Sequence, residues 1–407
     1  MKALKSALAD IAHLDSDIKA WSHLSTDCAP SRSPTPAGPL DGLLFGVKDV
    51  IDVQGMPTRF GASLGPRPPA SRDASCVVQL RSAGALPIGK TVTAEFAYAA
   101  AGPTRNPHNR EHTPGGSSSG SAAAVAAGMV PMALGTQTGG SIIRPSAFSG
   151  VVGFKPSFGL VHRGGMLVLC DTLDTIGWFA RDVALAQQVA AVFMDTEPLQ
   201  AVPSLDRLRV AVLPCESAGP LQACARDTLR QAAEAVAREG GHVQWFDHDD
   251  EVAALGQAHA GIMRYELSRG LLPFLRAEPG ALRAPTRKII DEGLQLTPRE
   301  YMALSRSRTE LQQKWRDRYA SYDLILTPGA PGEAPMGLES TGSSAFNRIW
   351  SLLGWPCIQL PCAMSAGGLP LGVQCVGGPG QDARLLALAR RLHPLLDRRP
   401  AGLGPGR

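Results

Sequence analysis

At 407 residues, with 40 Lys and Arg against 36 Asp and Glu, the chain carries a net charge of +4, and its hydrophobic fraction of 44% is ample for a large buried core. The basic residues are spread out, with no block beyond Arg398-Arg399, which excludes nucleic acid and a membrane surface as partners. No apolar run reaches the ~18 residues of a membrane helix. Eight cysteines form no CxxC pair and the nine histidines are scattered, so reduced, buried thiols and no metal are expected, in a soluble cytoplasmic protein.

The first residues show helical spacing interrupted by Asp10, His13 and Asp15, the pattern of a surface helix and not of a signal peptide. Residues 25–40 are Pro/Ser-rich and read as a loop. Residues 43–53 read as a strand with Lys48 inside it, between Val47 and Val50. Such a lysine is costly unless paired or partly neutral, although an edge-strand lysine can snorkel to solvent. Arg72 to Ala83 reads as a helix capped by Asp73. Gly84 to Thr91 matches the phosphate-loop string GxxxxGK[ST], which would make Lys90 a nucleotide ligand. The string follows a helix instead of a strand, and Pro87 has no N–H for a phosphate, so a strand is expected there. Residues 102–120 form a Gly/Pro/Asn/Ser loop, 121–128 a helix of small residues, 130–134 a strand, and 136–145 a loop ended by Pro145. Residues 150–157 read as a strand and 171–177 as a turn-rich loop before a helix starting at Asp182. From residue 207 strands and helices alternate, which argues for a largely parallel sheet. Thr297-Pro298-Arg299-Glu300 is a capping box. Residues 345–353 and 382–397 read as helices, and 358–361 and 371–376 as strands.

The chemistry concentrates in residues 115–145, where Gly115-Gly116-Ser117 and Gly139-Gly140-Ser141 flank the small-residue helix. Glycines allow a backbone to pass close to a ligand and to aim consecutive N–H groups at one point, as an oxyanion hole requires. Thr138 to Ser141 supply such groups with no proline among them, so acyl transfer with a serine nucleophile is the reaction to look for. Ser141 also fits a turn or helix-cap serine. Residues 116–120 match the GxSxG elbow with Ser118 as nucleophile, but no strand precedes them.

Residues 46–53, 106–128, 134–157 and 173–177, with weaker echoes at 346–361 and 367–377, resemble the amidase signature family of Ser-cisSer-Lys hydrolases. Within it, GTQTGGSIIRP and STGSSAFNRIWSLLG look most like malonamidase-like members. The resemblance implies one α/β domain over residues 1–407, with a mixed, mostly parallel sheet covered by helices. Its signature core lies at about 40–180, and the remainder completes the sheet and pocket. It implies Ser141 as nucleophile, Ser117 as bridging serine after a cis bond to Gly116, Lys48 as base and the Thr138, Gly139, Gly140 and Ser141 amides as oxyanion hole. Gln137 stands where the commoner pattern has Asp, and Arg144 lies three residues after the nucleophile instead of two. In malonamidase the matching arginine binds a substrate carboxylate, so Arg144, with Gly116 and Gln137, is expected to contact substrate. A structural arginine is the other reading. The implied activity is hydrolysis of a small amide to carboxylate and ammonia, with a half-amide such as malonamate fitting, no cofactor, and a homodimer compatible. A glutaminase subunit of an amidotransferase is the alternative within the family, and a phosphate-loop nucleotide-binding protein the alternative outside it.

Overall fold

The computed structural model describes residues 2–25, 38–98, 100–194 and 202–400. Its strands are β1 (Trp21–Leu24), β2 (Leu44–Lys48), β3 (Leu86–Thr91), β4 (Met132–Gln137), β5 (Val152–Lys155), β6 (Thr175–Ala180), β7 (Arg209–Val212), β8 (His242–Trp245), β9 (Leu324–Pro328), β10 (Cys357–Met364) and β11 (Pro370–Val376). Its helices are α1 (Lys2–Ile18), α2 (Ser75–Ser82), α3 (Ser119–Ala126), α4 (Ile143–Ser149), α5 (Val183–Phe193), α6 (Ala223–Arg238), α7 (Asp249–Ala277), α8 (Ala284–Leu294), α9 (Pro298–Tyr319), α10 (Ala345–Leu353) and α11 (Asp382–Leu396). The strands make one sheet in the order β1-β3-β2-β4-β6-β5-β10-β11-β9-β7-β8.

The sheet is mixed and flanked by helices, as expected, but parallel pairs do not dominate it. Four pairings are parallel, β2 with β3 and β4, and β7 with β8 and β9. Six are antiparallel, because β4, β6, β5, β10, β11 and β9 follow one another in alternating direction and β1 runs against β3. The alternation after residue 207 describes only the β7–β8–β9 end. The central strands β4, β5 and β6 are buried throughout, consistent with a sheet covered on both faces.

Several local expectations change for physical reasons. The strand at 43–53 stops at Lys48, whose carbonyl takes the Val50 and Ile51 N–H groups in a turn. Asp73 does not cap α2, since Ala74 holds that position; its carboxylate accepts the Gln54 N–H at 2.7 Å and pairs with Arg81 at 2.9 Å. The phosphate-loop string forms a turn and β3, with Pro87 inside the strand. The loop expected to end at Pro145 contains instead the last residues of β4 and the start of α4, with Pro145 in its first turn, where a missing N–H costs nothing. Residues 175–177 of the expected loop open β6, and β1 and α8 have no counterpart in the sequence reading. The capping box at Thr297 and Glu300 forms as expected. Most of the 25–40 loop, the last helix's tail beyond residue 400 and Cys28 lie outside the described residues. The other seven cysteines are thiols, and all but Cys224 are buried. Among the described residues no helix is long and apolar enough to cross a membrane.

Candidate active site

The carboxyl ends of the parallel neighbours β2 and β4 face the start of α3, and the critical side chains converge there. Lys48, the last residue of β2, is completely buried. Its Nζ lies 2.8 Å from Ser117 Oγ and 2.7 Å from Thr136 Oγ1, and 3.4 Å from the Thr136 carbonyl. No carboxylate among the described residues reaches it. Burial therefore pushes its pKa well below the usual lysine value, the more distant Asp174 offsetting this and Arg144 adding to it.

Ser117 is buried, and the Gly116–Ser117 peptide bond is cis, as the resemblance implied. A Cβ on Gly116 would sit 2.6 Å from Thr341 Cγ2, so any larger residue there would have to displace the Thr341 side chain. Ser118 is spent on β4: its hydroxyl donates to the Thr136 carbonyl at 3.2 Å and accepts the Thr136 N–H at 3.3 Å. That removes the geometry of an exposed elbow nucleophile.

Between β4 and α4 the chain turns through Thr138, Gly139, Gly140 and Ser141, which line one wall of a cavity of about 210 Å³. Ser141 is 8% exposed, at the edge of this cavity. The N–H groups of Gly139, Gly140 and Ser141 meet no acceptor among the described residues. The turn is braced from outside. Thr138 donates its hydroxyl to Asp174, and its carbonyl takes the His259 Nε2–H at 2.9 Å. Burial drops the His259 pKa to about 4, so the ring is neutral near pH 7 and Nε2 carries its proton. Ser351 donates to the Gly139 carbonyl at 2.8 Å. A Cβ on Gly140 would come within 2.5 Å of Asn347 Oδ1, which fixes α10 against the turn.

The other expected substrate residues are structural in their contacts. Gln137 is buried away from the cavity; its Oε1 accepts the Ile142 and Ile143 N–H groups at 2.9 and 3.1 Å, capping α4, and its Nε2 donates to Ser351 at 3.0 Å. A carboxylate would accept the first two bonds but could not donate the third. Arg144 lines the cavity, yet its Nε donates to the Gly116 carbonyl at 3.1 Å, and its terminal nitrogens donate to the carbonyls of Gly116 and Gly342. Burial and the nearby Arg348 push its pKa down to about 9, so it remains charged at neutral pH. Gly116 is not among the residues that line the cavity, and its carbonyl is taken by Arg144.

Over residues 3–386 the chain matches the Amidase family. It belongs to the amidase family. It is 33% identical over 439 residues to one of the subunits of the glutamyl-tRNA(Gln) amidotransferase of Treponema pallidum, covering 92% of this chain and 86% of that protein. Its fold superposes on the crystal structure of an amidase with a TM-score of 0.86, at 32% identity, covering 97% of this chain and 95% of the other. The substrate-bound structure of 6-aminohexanoate cyclic dimer hydrolase matches with a TM-score of 0.83 at 26% identity, covering 98% and 95%. As a member of this family the chain is an enzyme acting on amide C–N bonds.

Sequence reasoning missed four side chains here: Thr136, Asp174, His259 and Arg348. Three of them stood inside segments that carried the resemblance, as the first Thr of GTQTGG, the Asp of LDTIG and the Arg of FNRIW. His259 lies on α7 with nothing in its neighbours to single it out.

Proposed function

We propose that the chain hydrolyses a small amide to a carboxylate and ammonia through an acyl-enzyme on Ser141. The observation that carries this reading is Lys48: completely buried, without a carboxylate, and 2.8 Å from Ser117. A lysine so placed is neutral enough to accept a proton. Ser141 Oγ attacks the amide carbon as its proton passes to Ser117, whose own proton passes to Lys48. The Gly139, Gly140 and Ser141 N–H groups take the charge that develops on the carbonyl oxygen. The C–N bond breaks as Ser117 returns a proton to the leaving nitrogen, resupplied from the Lys48 ammonium. Water then attacks the acyl-serine, and the carboxylate leaves. Thr136, accepting from Lys48, orients the amine toward Ser117. Arg144 holds the Gly116 and Gly342 carbonyls and so fixes Ser117 relative to the cavity. A carboxylate-bearing half-amide of the malonamate type is the finer reading of the substrate.

The test is ammonia release from a panel of small primary amides by the wild type, Ser141→Ala and Ser118→Ala. Activity that is lost in Ser141→Ala and kept in Ser118→Ala supports the assignment; the reverse pattern sinks it. A second reading, a glutaminase-type component of an amidotransferase, is favoured by the match over 86% of the Treponema pallidum protein. Glutaminase activity that appears only with co-purifying protein partners would select it.

A further inference from the structure

The two guanidiniums in the cavity wall are not equivalent. Arg144 has directed Nε and both terminal nitrogens to backbone carbonyls. Arg348, on α10, has its stem against the turn, with Cγ 3.6 Å from where a Cβ of Gly139 would lie, two residues before Ser141. Its Nε donates to Ser344 Oγ at 3.1 Å. Its two terminal nitrogens meet no acceptor among the described residues, although the residue is half-buried.

No carboxylate among the described residues pairs with it. Asp174, the carboxylate of the cavity wall, already accepts from Leu169 N, Cys170 N and Thr138. The neighbouring Arg264 is paired with Glu292 at 3.4 Å. Burial raises the Tyr98 phenol, so that group is neutral near pH 7. Lys48 lies behind Thr136, and Arg144 adds a second fixed cation. A guanidinium withdrawn from water without a counter-ion is unfavourable, and a planar fork with two free nitrogens matches a carboxylate.

We propose that Arg348 binds an anionic group of the substrate, so that the site selects a small amide bearing a carboxylate. This rests on the amide-hydrolase reading for the reaction, but not for the anion itself. The cavity of about 210 Å³ restricts such a substrate to a few carbons between the two groups. Ser340, Thr341 and Ser343 also line the cavity. The division of labour is then explicit: Arg144 holds the backbone, and Arg348 reads the ligand.

The experiment compares three isosteric pairs, malonamate with propionamide, succinamate with butyramide and glutaramate with pentanamide, in which a methyl replaces the carboxylate. The wild type is expected to prefer the half-amide in at least one pair. In Arg348→Met that preference in kcat/KM should fall by about 100-fold, the scale for removing one partner of a buried charge pair. Arg348→Lys, which keeps the charge and loses the fork, should retain part of it. A wild type without preference in any pair, or a preference unaltered in Arg348→Met, overturns the proposal. In a second arm, malonate and succinate should raise the melting temperature of Ser141→Ala but not of Ser141→Ala/Arg348→Met. That arm needs no turnover. If no amide is cleaved yet the dicarboxylates stabilise through Arg348, the hydrolase reading fails and the anion site stands. If amides are cleaved and the dicarboxylates give no shift, the anion site fails alone.

Discussion

Lys48 and Lys90 stand on adjacent parallel strands, both completely buried, and do opposite things. Lys48 pairs in register with Thr91 and Lys90 with Val47, so the pleat sends the two side chains to opposite faces of the sheet. Lys90 meets Asp49 at 3.1 Å and Thr58 Oγ1 at 2.8 Å. Lys48 meets only hydroxyls and a carbonyl. Burial lowers both pKa values, but for Lys90 the Asp49 carboxylate opposes it, whereas for Lys48 the opposition comes only from the distant Asp174. Burial alone therefore does not make a base. On the proposed reading it is the missing counter-ion that fits Lys48 for that role, whereas the lysine in the phosphate-loop string is a cross-tie to Asp49.

The comparison breaks most readily at Lys48 itself. Lys48→Ala should lower kcat on the order of 10⁴-fold, and Lys48→Arg should not restore it, because a guanidinium cannot accept the proton. Adding Ser117→Ala should cost far less than its separate effect, since the two act as one unit. Steady-state kinetics that stay within tenfold of wild type in Lys48→Ala would remove it as the base. Lys90→Ala should do the converse. It leaves Asp49 buried and unpaired, for about 3–5 kcal/mol of stability by denaturant unfolding, with kcat per folded molecule retained.

A pH series sharpens the contrast. The folded Lys48 binds its proton less tightly than the unfolded lysine, so its desolvation cost is full below the folded pKa. The cost fades as pH rises from there toward the ordinary lysine value. Lys48→Met removes that cost, so its melting temperature relative to wild type should be most favourable at the acid end of the series and converge as the pH approaches the ordinary lysine value. The kcat/KM of the wild type should rise with pH over the same window, as Lys48 becomes neutral. A difference that is flat with pH would mean that Lys48 binds its proton equally well in the folded and unfolded states, so that folding does not lower its pKa.

Thr136→Val removes the hydroxyl that orients Lys48 but keeps the shape, and is expected to lower kcat about tenfold with KM little changed, one hydrogen bond's worth. The smallest effect should come from Gln137→Leu, which uncaps α4 and strands two N–H groups, for about 1–2 kcal/mol in urea unfolding.

Lys48, Ser117 and Ser141 stand out in the sequence because Gly-Gly-Ser and a lysine inside an apolar strand are local signals, and because the family's motif is itself local. Their neighbours do not. Thr136 reads as a loop threonine until β4 extends through it and Lys48 arrives from β2, and Arg348 like any helical arginine until α10 docks on Gly139. Pro145 reads as the end of a loop, yet it sits in the first turn of α4, whose start Gln137 fixes by accepting the Ile142 and Ile143 N–H groups from across the turn. The sheet's direction fails for a similar reason. Local alternation at one end cannot report how β6, β5, β10 and β11 pair across long separations.

The brace from Arg144 to the Gly342 carbonyl spans 198 residues, and that from Ser351 to the Gly139 carbonyl spans 212. A ribosome delivers the Ser141 turn long before either strut. At about 5–20 residues per second the turn waits on the order of ten to forty seconds for its supports. The nascent chain carries the Ser141 turn through that interval without either support, and the geometry of the turn is complete only once residues 342 and 351 have joined it.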